Sequence, residues 1–116
     1  MCLILCLAVT SPGHAGPLGR VHSPARGVLC DDYLCADEHG ISHALTERYL
    51  GAVAVAKLFL LGDFDLTEFT FSNGTFCSTK ERLCRKDRYY DMTGKHSGAI
   101  SERYTNILFG NSHPDP

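Results

Sequence analysis

The chain repeats itself, and it does so around four of its six cysteines. The earlier copy runs Gly27-Val28-Leu29-Cys30, then Cys35-Ala36-Asp37, Gly40 and Ser42 to Tyr49. The later copy runs Gly74-Thr75-Phe76-Cys77, then Cys84-Arg85-Lys86-Asp87, Gly94 and Ser97 to Tyr104. The helical parts match best, Ser42-x-x-Leu45-Thr46-Glu47-Arg48-Tyr49 against Ser97-x-x-Ile100-Ser101-Glu102-Arg103-Tyr104. One unit, a turn glycine followed by a cysteine hairpin and a capped helix, is used twice. This predicts a small disulfide-stapled α+β domain over 27–110, built of pseudo-repeats 27–61 and 68–110, with helices covering one side of the strands.

At 116 residues the chain makes one small domain. Its formal charge of −2, with both signs interspersed, leaves no electrostatic footprint for nucleic acid or anionic lipid. Cys2 to Val9 is apolar and is followed by Pro12-Gly13 and small residues at Gly13 and Ala15, which reads as a secretory signal over 1–15. The apolar run is too short to span a bilayer, and no Lys or Arg precedes it. The competing reading is a buried N-terminal strand. Removal of the leader leaves four cysteines, which in an oxidising compartment act as staples for a modest core. Residues 16–26, with Gly16, Pro17, Gly19 and Pro24, read as an extended or mobile lead-in. The tail 111–116 reads as disordered.

Short strands are expected at Val28–Cys30 and Leu34–Ala36 around an Asp31–Tyr33 turn, with a further turn over Asp37–Gly40. Ser42 is a suitable N-cap. Leu45, Tyr49, Val53, Ala56 and Leu60 then predict one helix, buried on most sides and ended by Gly62. Glu68–Ser72 alternates as a strand, Asn73-Gly74 signals a two-residue type I′ hairpin turn, and strands return over Thr75–Ser78 and Arg82–Lys86. After a polar loop from Arg88 to His96, Ser97 is expected to cap a second helix. Its inward positions are Ile100, Tyr104, Ile107 and Leu108, and Gly110 is its stop.

The runs Ser23 to Cys30, Ala44-Leu45-Thr46-Glu47-Arg48-Tyr49-Leu50-Gly51, Glu68 to Gly74 and Asp87-Arg88-Tyr89-Tyr90 resemble the YcgJ-like, or Fels prophage protein-like, family of small exported proteins of enteric bacteria and their prophages. The resemblance covers roughly 23–109. It implies a periplasmic location and a four-cysteine core, and it carries over no activity and no catalytic residue.

Four cysteines allow three pairings. Local pairing, Cys30–Cys35 and Cys77–Cys84, respects the repeat and puts one bridge across each hairpin. Each such short loop contributes only roughly 2–2.5 kcal/mol, and cross-repeat bridges would close longer loops, so energy alone does not choose. The rival reading is zinc on Cys30, Cys35, His39 and His43, two thiolates and two imidazoles within a short stretch. Against it, the second copy lacks the matching histidines, and export oxidises the thiolates. No nucleophile elbow or Cys-x-x-Cys is present, and Ser97-Gly98 beside His96 reads as a capping site. Arg82, Arg85, Lys86 and Arg88 with Tyr89 and Tyr90 form the candidate contact surface, since Tyr and Arg are enriched at binding hot spots. The recurring Glu-Arg-Tyr at 47–49 and 102–104 reads as a solvated pair plus a core tyrosine, with a pseudo-twofold partner surface as the sharper alternative. The expectation is an exported periplasmic module without a cofactor that binds a protein or glycan of the cell envelope. A small periplasmic hydrolase or zinc-dependent enzyme is the alternative.

Overall fold

The computed structural model describes residues 19–60 and 62–110. The expected leader (1–15), the first part of the lead-in and the tail (111–116) lie outside the described residues. Among the described residues, two three-stranded antiparallel sheets and three helices make an α+β fold. The first sheet is β1 (Leu29–Cys30), β2 (Cys35–Asp37) and β3 (Gly40–Ile41); the second is β4 (Glu68–Thr70), β5 (Phe76–Ser78) and β6 (Leu83–Arg85).

Each hairpin sets its cysteines directly opposite one another, Cys30 against Cys35 and Cys77 against Cys84. The Cα atoms are 4.1 and 4.0 Å apart, and both local disulfides are formed. All four cysteines are fully buried. The part of the lead-in nearest the core is pinned to the first hairpin. His22 donates its N–H to the Cys30 carbonyl and accepts the Cys30 N–H, both at 2.9 Å.

Ser42 caps α1 (His43–Leu50), accepting the Leu45 N–H at 3.0 Å. The single helix expected after it is in fact two. Gly51, at φ 98°, ends α1 through its N–H to the Glu47 carbonyl, and α2 (Ala52–Leu58) starts afresh. Only a residue without a Cβ takes that conformation cheaply, so the chain turns there rather than continuing. The burial expected of this segment fails with the break. Val55 is the buried residue of α2, while Val53 is 68% and Leu60 76% exposed.

The second hairpin also differs in its turn. Asn73 keeps a negative φ, so this is not a type I′ pair. Three residues, Ser72 to Gly74, link Phe71 and Thr75, with Gly74 at φ 94° and the Asn73 carboxamide oxygen accepting the Thr75 N–H at 3.0 Å. An asparagine that bonds its own backbone two residues on favours this longer loop.

The second-repeat helix, α3 (Glu102–Phe109), begins four residues later than expected, with Ser101 as its cap. Ser97 is used elsewhere, donating both its N–H (2.9 Å) and its hydroxyl (3.2 Å) to the Tyr89 carbonyl. The residues between run extended against β6, with Lys86 N–H donating to the Ala99 carbonyl at 2.7 Å and Ile100 bridging Arg85. Gly98 crosses Asp87 so closely that a Cβ would lie 2.6 Å from its carbonyl oxygen. Ile100 is consequently exposed, and Leu108 with Phe109 supplies the buried face; Gly110 stops the helix as expected.

The two repeats share one core. Leu29, Leu34, Ala36 and Ile41 of the first pack with Phe69, Phe71, Cys77, Cys84, Leu108 and Phe109 of the second. The other bridge sits in a smaller cluster with Val28, against Leu45, Tyr49 and Leu50. Asp31, buried in the first hairpin turn, stitches the halves together. One carboxylate oxygen accepts the Tyr33 and Leu34 N–H groups, and the other accepts the Ser72 N–H at 2.7 Å.

Candidate functional site

The corrected helix start changes how the repeats superpose. Thr46 and Thr105, each four residues after its cap, occupy the same place. Thr46 Oγ1 accepts the Cys35 N–H at 3.0 Å and donates to the Cys35 carbonyl at 3.4 Å. Thr105 Oγ1 does the same to Cys84, at 2.8 and 3.2 Å. The cap N–H groups agree, Ser42 to the Cys35 carbonyl (2.9 Å) and Ser101 to the Cys84 carbonyl (2.7 Å). The two Glu-Arg-Tyr runs therefore sit one helical turn out of step and form no pseudo-twofold surface.

This superposition exposes what is extra in the second copy. Ser42 follows Cys35 by seven positions, whereas Ser101 follows Cys84 by seventeen. The ten extra positions fall within an excursion over 87–97, which carries Arg88, Tyr89, Tyr90 and Met92. Tyr89 is 64% and Tyr90 60% exposed, and Met92 is wholly exposed.

The excursion is braced rather than loose. Asp91 Oδ1 accepts the Thr93 N–H (2.8 Å), the Thr93 hydroxyl (2.6 Å) and the Lys95 N–H (3.1 Å). The Thr93 hydroxyl first, then the Lys95 and Thr93 amides, hold the Asp91 carboxyl below the usual aspartate range. Tyr90 pairs with His96 across the turn, and their rings stack at 4.6 Å. His96 in turn lies 4.8 Å from the ring of buried Phe76, so the exposed tyrosine is the outer member of a stack rooted in the second sheet. A hollow of about 310 Å³ lies between the Ser72–Gly74 turn and Lys86 to Tyr89.

The sequence-derived contact surface is thus divided. Arg88, Tyr89 and Tyr90 face solvent, as does Lys86. Arg82 and Arg85 are drawn inward. Arg85 donates from Nη1 to the Gly98 carbonyl (2.8 Å) and from Nε to Glu81 (3.3 Å), with its side chain 17% exposed. Arg82, at φ 54°, reaches across to Glu38 of the first repeat at 3.2 Å and lies over the Phe109 ring. Both are braces of the fold.

The zinc set is not assembled, because the Cys30 and Cys35 sulfurs are bonded to one another. His39 stands in solvent beside Glu38, and His43 stacks on Phe59 at 5.3 Å. Among the described residues no three His, Cys, Asp or Glu side chains converge to hold a metal. The Ser97 hydroxyl addresses a carbonyl, not the His96 imidazole.

Fold and site together define a small disulfide-stapled α+β module with a braced excursion that exposes Arg88, Tyr89 and Tyr90. The chain belongs to the YcgJ family: the family model described as YcgJ protein matches residues 21–109. It is 50% identical over 91 residues to the Uncharacterized protein YcgJ of Escherichia coli (strain K12), covering 78% of this chain and 75% of that protein. No solved structure matches it. The YcgJ-like resemblance read from the sequence runs is thereby established as to family.

Proposed function

We propose that this protein is an exported, non-enzymatic binding module of the cell envelope whose recognition surface is the 87–97 excursion. The observation that carries the reading is the exposure of Arg88, Tyr89, Tyr90 and Met92 on a loop held by Asp91 and the ring stack. Aromatic and guanidinium side chains presented on a braced scaffold lose little entropy on binding. Lys86 and Arg88 favour an acidic partner, protein or glycan. Two buried disulfides fit an oxidising compartment such as the periplasm, and no helix of the described residues is long and apolar enough to cross a membrane. Arg88, Tyr89, Tyr90 and Met92 set no nucleophile against a base, which favours binding over turnover.

The test compares the wild-type chain with an Arg88→Ala/Tyr89→Ala variant, which keeps the Tyr90–His96 stack, for retention on isolated cell envelopes. The variant should keep its stability within about 1–2 kcal/mol, since both side chains are largely exposed. Retention should be lost in the variant and should weaken for the wild type as salt rises. Equal retention of both would remove the excursion from the account. Turnover of an envelope polymer that the variant retains would favour the hydrolase alternative.

A further inference from the structure

An open apolar groove of about 480 Å³ lies on the first repeat, far along the chain from the excursion. One wall is the hairpin turn, with Asp32 and Tyr33; the other is α2, with Val53, Ala54 and Lys57. Tyr33 is 65% and Val53 68% exposed. These are large apolar surfaces left in water, although Val55 of the same helix is buried and Leu58 packs against the shared core. Asp32 and Lys57 are also exposed, and neither has an ion-pair partner among the described residues.

We infer that this groove is the interface of a two-fold dimer of the chain. A two-fold contact requires a patch complementary to itself, because each residue meets its opposite number's neighbour. This patch meets that condition twice. It holds a protruding ring, Tyr33, beside a hollow of sufficient size to receive one. It also holds one charge of each sign on opposite walls, so that Asp32 of one copy meets Lys57 of the other, and the reverse, around an apolar centre. A partner of different chemistry has no need of this arrangement, and an acidic or basic partner would be repelled by one of the two charges.

Sedimentation velocity of the full chain, both disulfides intact, over about 1 µM to 1 mM covers the affinities expected of a small interface. The wild type should pass from monomer to dimer within that range. Val53→Glu, at an exposed position, should raise the dissociation constant roughly tenfold or more. Asp32→Lys and Lys57→Asp should each weaken the dimer, and the double variant D32K/K57D should return to within about threefold of wild type, the sign of a direct cross-interface pair. A wild type monomeric throughout, a dimer indifferent to Val53→Glu, or a double swap no better than the singles would overturn the inference. So would a monomer whose groove takes up an apolar dye that Val53→Glu excludes, since the groove would then belong to another partner.

Discussion

Thr46 and Thr105 each hold the backbone of a bridged cysteine from both sides, donor and acceptor at once. Both are buried, so replacing the hydroxyl with a methyl leaves a cysteine N–H without a partner in the core, while the cysteine carbonyl keeps the N–H of the capping serine. Thr46→Val and Thr105→Val should each cost about 1–3 kcal/mol in urea denaturation, with the disulfides still formed. Equal, small losses under about 0.5 kcal/mol, the range of an ordinary surface change, would show that the clamp is incidental. Asp91 gives a second residue-scale expectation. Its carboxyl is held below the aspartate value of 3.8 chiefly by the Thr93 hydroxyl, so the ionised form is favoured in the folded loop. The support it gives is present above the unfolded value and is lost as pH falls through the lowered folded one. Amide signals of Thr93 and Lys95 should therefore stay constant down to mildly acidic pH and shift together only below about pH 4. A change centred well above that range would show that the Asp91 carboxylate does not brace the loop.

At the scale of elements, Gly51 decides where α1 ends and α2 begins. It sits at φ 98°, and a Cβ placed there would meet no atom within 4 Å, so the site penalises any other residue through backbone strain alone. Gly51→Ala should cost about 1–2 kcal/mol without altering the core, measurable as a lowered urea midpoint at unchanged slope. A stabilised variant would mean that the two helices straighten into one. This break was hidden in the sequence because Ala52 to Leu58 is rich in helix formers, and a lone glycine inside such a run is tolerated. The start of α3 was hidden for a different reason. Ser97 and Ser101 are both capping residues, and they stand four positions apart, close to one helical turn; sliding the helix by that amount leaves its apolar stripe almost unchanged. Only the pairing of Ala99 and Ile100 with β6, a contact between segments well separated in sequence, selects Ser101. The hairpins were legible because facing cysteines and flanking apolar residues mark strand pairs locally. Arg88, Tyr89 and Tyr90 were legible as polar-aromatic loop residues. The inward roles of Arg82 and Arg85 depend on Glu38, Gly98 and Phe109, which periodicity does not reveal.

The whole molecule is two stapled units joined through one core rather than through a covalent bridge. Cys30–Cys35 and Cys77–Cys84 each stay within a repeat, while Leu29, Phe69, Phe71 and Phe109 pack across the boundary and Asp31 bonds Ser72 over it. The segment 62–65 between the units is exposed along its length. A specific protease site placed there, cut in the folded protein, is the most direct measurement. The two halves should co-elute on gel filtration in native buffer, held by the shared apolar core, and separate on a denaturing gel without any reductant. Fragments that remain joined on that gel until dithiothreitol is added would contradict the account, because a bridge would then have to run between the repeats.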